Sequence, residues 1–197
     1  RALQLPNEQV PGPGLVANGN FEMGTLAGWT VTSSTGNGTW VINDGAYPFV
    51  SGSSFAPCAG SFSAATDMDG PGTYTLYQDV AVPAGGPVVL TWTDLYNNHA
   101  GAYADPTQEF RVVVRNPADN SDLATVYSTN PGDPTFTPCT ARSADISAFA
   151  GSTVRIAFED QDENFYFNVQ VDDVTVTAGA SCPAVPLCPA GETCAVA

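Results

Sequence analysis

Carboxylates dominate the side chains of this sequence that could do chemistry. Twenty Asp and Glu residues stand against only five cationic residues, all of them Arg, so the formal net charge is −15. Hard cations such as Ca²⁺ take oxygen ligands, which makes some of these carboxylates candidates for a calcium site. The other interpretation is acidic solubility in a salty medium. Nucleic acids and anionic membranes are excluded as partners, because they would meet net repulsion and no basic stripe.

Recognisable catalytic motifs are absent from the sequence. His99 is the single histidine, and there is no Gly-x-Ser-x-Gly, no phosphate-binding loop, no His-Glu-x-x-His and no dinucleotide fingerprint. The two acids of a glycosidase can come from anywhere in a chain, so the many carboxylates identify no such pair. We therefore predict no catalytic residue and a protein that is not an enzyme.

Two groups of polar and aromatic residues are candidates for binding a sugar, which needs apolar surface together with polar anchors. The first group would share one hydrated sheet face if its three strands are neighbours: Tyr166, Asn168, Gln170, Arg111, Arg155 and Glu159. The second lies in the segment DLYNNHAGAYADP and would form a site at an edge: Tyr96, Asn97, Asn98, His99 and Tyr103. Polar residues outside a sandwich are also expected without any ligand.

Short strands must position these residues. Eleven strand-like segments follow one another from Leu15: LVANGNFE, GWTVTSS, TWVIN, GSFSAAT, TYTLYQDVAV, PVVLTWTDLY, EFRVVVRN, ATVYS, SADIS, STVRIAFED and FYFNVQVDDVTVT. In three of the later segments a wholly apolar face alternates with a polar one, as Phe110, Val112 and Val114 alternate with Arg111. The pattern predicts an all-β, two-sheet antiparallel β-sandwich with one sheet face hydrated. Trp29, Trp40 and Trp92 lie in such segments and are expected in the core.

The chain divides into three predicted regions. Residues 1–14 contain a Pro-Gly-Pro-Gly run and are expected to form an extended arm, residues 15–178 the sandwich, and residues 179–197 a tail rich in Cys and Pro. Five cysteines in a Lys-free chain that begins at Arg1 favour an exported protein in an oxidising compartment. Cys58 and Cys139 are the natural pair within the sandwich, while two of Cys182, Cys188 and Cys194 would pair in the tail.

The segment EDQDEN is the densest acidic stretch. It contains Glu159, Asp160, Asp162, Glu163 and Asn164 between two strongly apolar segments. Turn-forming polar residues in that position favour a solvated hairpin tip over a ligand site.

Four of these segments, in this order, resemble the calcium-containing jelly-roll carbohydrate-binding modules of the galactose-binding-like superfamily. They are LVANGNFEMGTLAGWTVTS, CAGSFSAAT, TYTLYQDVAVPAG with VVLTWTDLY, and FYFNVQVDDVTVT. The resemblance extends from Leu15 to Thr177 and implies a jelly roll. It also implies a structural calcium ion where the first and last strands meet. Asn20 and Gly60 would then offer main-chain oxygens and Glu22 a carboxylate, with a further carboxylate from Asp173 or, alternatively, Asp172.

Two functions are compatible with this sequence. The resemblance implies a secreted, non-catalytic module that binds a polysaccharide or cell-surface glycan. The alternative is a self-assembling surface or filament subunit, in which the arm of residues 1–14 adds to another copy of the chain by donor-strand contacts. Neither function calls for nucleic acid or for membrane insertion.

Overall fold

The computed structural model describes residues 15–179, which form ten β-strands and a single 3-10 turn. The strands are β1 (Thr30–Ser33), β2 (Gly38–Asn43), β3 (Ser63–Met68), β4 (Gly72–Ala81), β5 (Val88–Asn98), β6 (Glu109–Arg115), β7 (Asp122–Ser128), β8 (Phe136–Asp145), β9 (Thr153–Asp162) and β10 (Phe167–Ala178). This part of the chain contains no helix that is long and apolar enough to cross a membrane. The predictions for the arm, 1–14, and for Cys182, Cys188 and Cys194 lie outside the described residues.

The strands build two antiparallel five-stranded sheets that pack face to face. Sheet A has the order β1-β4-β9-β6-β7, and sheet B has the order β2-β3-β10-β5-β8. Most connections between consecutive strands cross from one sheet to the other, as expected for a jelly roll. The predicted all-β sandwich is confirmed.

Alternating side chains of both sheets form the core between them. Phe110, Val112 and Val114 of β6 are completely buried and so are Val169 and Val171 of β10, since every second residue of a strand points to the same face. The three tryptophans lie in this core as predicted, with exposed fractions of 8% for Trp29 and 2% for Trp40 and Trp92.

A long loop between β2 and β3, residues 44–62, covers part of the outer face of sheet B. The Gln170 side chain donates to the carbonyl oxygen of Ala56 at 3.0 Å and accepts a hydrogen bond from Asn43. Ser51 of the loop donates to Asn168 at 2.7 Å. A disulfide between Cys58 and Cys139 joins the loop to β8 and confirms the predicted pair. The polar face of β10 is therefore buried, and the prediction that it is hydrated is wrong.

Three further sequence expectations are wrong, wholly or in part, for local reasons. The segment LVANGNFE forms turns instead of a strand, and Asn18 and Phe21 there have positive φ angles, which no strand allows. The segment SADIS is only the end of a longer strand, β8. The acidic stretch EDQDEN is a solvated tip only at Glu163 and Asn164, because β9 continues through Asp162 and buries Asp160.

Candidate functional site

Five of the six residues predicted to share a hydrated face lie on two different sheets, and the sixth, Tyr166, directly precedes β10. Arg111 in β6 and Glu159 and Arg155 in β9 are on the outer face of sheet A, where those strands are neighbours. Asn168 and Gln170 belong to β10 in sheet B and are 1% exposed. The structure therefore does not bring the six together. The assumption that failed is that β10 lies beside β6 and β9.

On sheet A, the arginines and acids of the outer face pair with one another. Glu159 accepts a hydrogen bond from Nε of Arg111 at 2.7 Å and lies 2.8 Å from Nη1 of Arg115. Thr75 on the other side also donates to it, at 3.0 Å. Arg111 and Arg115 both continue to Asp122, at 3.0 and 2.6 Å. Both guanidinium groups are thus paired with acids of the protein.

The electrostatics of Glu159 follow from these contacts. Burial by itself would raise the pKa of this carboxyl, but the hydrogen bonds and charges of Arg115 and Arg111 hold the pKa at about 2. Glu159 is therefore ionised at neutral and at mildly acidic pH. Arg155, at the end of the same face, pairs with Asp79 at 2.7 Å and lies 3.9 Å from the ring centre of Tyr77.

A different surface combines exposed rings with polar anchors, and we call it the aromatic edge patch: Ser53, Asn97, His99, Phe136 and Tyr166. Phe136 of β8 is directly opposite Asn97 of β5 and is 51% exposed. Directly opposite residues of an antiparallel pair project from the same face. The ring of Phe136 and the amide of Asn97 therefore lie side by side on the outer face of sheet B.

Hydrogen bonds hold the polar side of the aromatic edge patch in place. The amide nitrogen of Asn97 is 3.0 Å from Nε2 of His99, and the Ser53 hydroxyl is 3.3 Å from the same atom. An amide nitrogen can only donate, so Nε2 accepts and the ring proton is on Nδ1. The His99 main chain donates to the carbonyl oxygen of Tyr166 at 2.9 Å, and the two rings meet edge to face.

The segment predicted to form an edge site contributes only part of this patch. Asn97 and His99 reach the surface, whereas Tyr96, Asn98 and Tyr103 are at most 4% exposed. Tyr96 and Tyr103 face the core because they pack against each other and against Phe110 and Phe167. Sequence reasoning missed Phe136 and Ser53. The one available signal was Phe136 itself, an aromatic residue among Thr and Pro.

The residues named for calcium converge on one place. Oε1 of Glu22 accepts hydrogen bonds from the main-chain nitrogens of Ser61 and Phe62 at 2.8 and 3.0 Å. Oδ2 of Asp172 accepts a hydrogen bond from the main-chain nitrogen of Ala59, two residues before Ser61, at 2.9 Å. Gly60 has a φ of 55°, and a Cβ there would overlap the Glu22 carboxylate. Loop 59–62 thus lies against both acids and requires glycine at its centre.

The turn that carries Asn20 and Glu22 is fixed to β10 on the other side. The Val174 nitrogen donates to the carbonyl oxygen of Gly19 at 2.8 Å, just after the irregularity that follows Asp172 in the pairing of β10 with β5. Oδ1 of Asn20 is 3.4 Å from the nitrogen of Glu22 and so shapes the turn. Asp173 adopts a positive φ of 49° at this irregularity.

The carboxylates at this place have no cationic partner in the described part of the chain, so nothing there offsets their mutual repulsion. None of the ion pairs within residues 15–179 includes Glu22, Asp172 or Asp173. Burial raises the pKa of Asp172 to about 6; main-chain hydrogen bonds from Ala59 and Asp173 lower it, and the charges of Asp173 and Glu22 raise it. No group of three His, Cys, Asp or Glu side chains in the described range is arranged to hold a metal. Calcium would also need carbonyl oxygens, which fits the set with Asn20 and Gly60.

Comparisons with known proteins identify the fold. No family model matches the sequence, and no curated protein matches it. Among solved structures, the K3 cleaved adhesin domain of Lys-gingipain from Porphyromonas gingivalis is similar with a TM-score of 0.58 and 19% identity, over 83% of this chain and 98% of that one. TmCBM61, solved with β-1,4-galactotriose, gives 0.52 and 16% over 85% of this chain and 100% of its own.

An enzyme domain is also among the similar structures. The enzymatically active domain of bacteriophage CBA120 tailspike protein 4 gives a TM-score of 0.53 at 14% identity, and the match covers 84% of this chain but only 21% of the tailspike chain. At such identities the likeness shows the fold alone, and this fold serves several functions. The similar structures thus include β-sandwich carbohydrate-binding modules and adhesin domains.

Proposed function

We propose that this protein is a non-catalytic glycan-binding module whose binding site is the aromatic edge patch. The observation that carries the proposal is the exposure of Phe136 beside a row of fixed polar groups. A half-exposed phenylalanine loses the free energy that burial would provide, so its place next to sugar-compatible donors and acceptors favours a binding role. The similar carbohydrate-binding modules support the same function.

The recognition chemistry follows from the residues of the patch. The C–H groups of a pyranose pack on the ring of Phe136, and the Tyr166 ring, held edge-on by His99, adds a second apolar surface. The side-chain oxygen of Asn97 accepts from a sugar hydroxyl, while Nδ1–H of His99 donates to one. Because Ser53 and Asn97 already hold the imidazole, little side-chain entropy is lost on binding.

We also propose a structural calcium ion held by Glu22 and by Asp173 or, alternatively, Asp172, with the main-chain oxygens of Asn20 and Gly60. Its support is that Glu22 and Asp172 both accept hydrogen bonds from loop 59–62 and have no cationic partner in residues 15–179. The ion would neutralise their repulsion and join the turn of residues 18–22 to loop 59–62 and β10. It would thereby stabilise the fold and not take part in any reaction.

The extracellular setting is part of the proposal. The Cys58–Cys139 disulfide supports an oxidising compartment, and an adhesin domain among the similar structures has the same fold. The self-assembling surface or filament subunit is not favoured by these similarities, and its arm lies outside the described residues.

Affinity gel electrophoresis against a panel of neutral polysaccharides tests the function. We expect at least one polysaccharide to retard the wild type, and Phe136→Ala to weaken the retardation about tenfold or more, equal to about 1.4 kcal/mol. Leu123→Ala is the matched control, because Leu123 is 49% exposed on β7 of the other sheet. Equal retardation of Phe136→Ala and the wild type would place the binding site elsewhere.

A further inference from the structure

Two carboxyl groups at the end of β9 point into the sandwich. Asp160 is completely buried and Asp162 is 4% exposed, although the sequence predicted a solvated hairpin here. Both share the core-facing side of β9 with Phe158, because alternate residues of a strand face the same way. An apolar residue would be expected at each position. Packing of the core therefore does not account for an acid at either position.

Three of their four oxygens have no hydrogen-bond partner within the described residues. Neither oxygen of Asp160 and only one of the two oxygens of Asp162 has a hydrogen-bond partner within the described residues. Neither carboxyl belongs to an ion pair in that part of the chain. Glu159, one residue away on the opposite face, has two arginines. A buried carboxylate without a partner is costly, and such groups are rare in folded proteins.

The neutral donors around the two acids are already engaged. From β3, the Thr66 hydroxyl donates to the carbonyl oxygen of Phe167 and accepts from Val169. From β4, the Tyr74 hydroxyl donates to the carbonyl oxygen of Gly70 at 2.9 Å. The protons of both hydroxyl groups are therefore used in bonds to main-chain carbonyl oxygens.

Gln108 occupies the remaining side. Its amide nitrogen donates to Oδ1 of Asp162 at 3.0 Å and to Asn98 at 3.2 Å, and its oxygen accepts from the main chain of Glu163 and Asn164. Gln108 thus holds the Asp162 carboxyl in a fixed orientation. The second oxygen of Asp162, Oδ2, has no hydrogen-bond partner within the described residues. Preorganised acids of this kind are what a hard cation requires.

We propose that Asp160 and Asp162 hold a second divalent cation of the calcium class, separate from the ion proposed at Glu22. Asp162 also lines an open pocket of about 270 Å³ with Thr73, Thr107 and Glu163. Asp160 does not line this pocket, so Asp162 connects the ion to solvent and to the water molecules that fill the ligand positions left open by two carboxylates. The ion joins the end of β9 to the start of β6 through Gln108.

Counting bound ions tests the proposal. The full chain is stripped with chelator, dialysed against calcium and analysed by isothermal titration calorimetry and elemental analysis. We expect two ions per wild-type chain, one per Glu22→Ala chain and none per Glu22→Ala/Asp160→Asn chain. Asp79→Asn is the control for the loss of one charge, because Asp79 lies on the outer face of sheet A, and it should keep both ions.

Thermal melting of the same variants separates a metal ion from a bound proton. If calcium occupies the site, it raises the melting temperature of Glu22→Ala and leaves Glu22→Ala/Asp160→Asn unchanged. Asp162→Asn in the same background should also lose the calcium effect, which covers the case that Asp160→Asn fails to fold. A Glu22→Ala chain that binds no ion, or an Asp160→Asn chain that melts higher at every calcium concentration, would overturn the proposal. If the wild type binds a single ion that Asp160→Asn removes and Glu22→Ala does not, the result contradicts only the site at Glu22.

Discussion

Replacing Glu159 by Gln should destabilise the protein by about 3 kcal/mol. Its contacts lower the pKa from the ordinary value of 4.5 to about 2, and a shift of about 2.5 pKa units corresponds to about 3.4 kcal/mol. The Glu159 side chain is 4% exposed, so solvent screens this interaction little. The value agrees with the roughly 3 to 5 kcal/mol that removal of one partner of a buried ion pair costs.

Urea unfolding at neutral pH and saturating calcium measures the loss, with tryptophan fluorescence as the signal. Asp79→Asn is the comparison, because Asp79 is 41% exposed in its pair with Arg155 and exposed pairs contribute about 0 to 1 kcal/mol. In a double-mutant cycle, Arg115→Met combined with Glu159→Gln should cost clearly less than the two single changes added together. A loss below about 1 kcal/mol for Glu159→Gln, or strict additivity in the cycle, would refute the reasoning.

Three other changes probe the proposed calcium site and the loop over sheet B. Gly60→Ala should lower stability by about 1 to 3 kcal/mol and weaken calcium binding, because its Cβ would overlap the Glu22 carboxylate; unchanged calcium affinity would argue against the site. Chelator should lower the melting temperature of the wild type by more than that of Glu22→Ala, which has lost one of the two proposed ions, and equal shifts in both would contradict the role of Glu22. Cys58→Ser with Cys139→Ser opens a loop of 81 residues and should cost at most about 4 kcal/mol, a loss that chemical denaturation of the oxidised and mutant proteins measures.

The strand faces could be predicted from the sequence because they depend on alternation within single segments. Phe110, Val112 and Val114 are buried as their spacing indicates. The three tryptophans and the Cys58–Cys139 pair also follow from local pattern and cysteine count. Each of these inferences needs only the neighbouring residues or the number of candidates.

The errors come from contacts between distant parts of the chain. Asn168 and Gln170 alternate with apolar residues as exposed residues would, but loop 44–62 covers them. Asp160 is buried because β9 extends past its apolar run and pairs with β4 and β6 to its end. Phe136 belongs to the aromatic edge patch only through its register with Asn97. Neither the order of the strands nor their register can be predicted from a single segment.

Amide chemical-shift mapping by NMR tests the central claim most directly. An oligosaccharide from a polysaccharide that retards the wild type is titrated into the labelled protein, and the shifts of the assigned amides are followed to saturation. The account predicts that the largest shifts are at Asn97, His99 and Phe136. The largest shifts at Arg111 and Glu159 on the outer face of sheet A, or saturating binding that moves none of the aromatic edge patch, would contradict it.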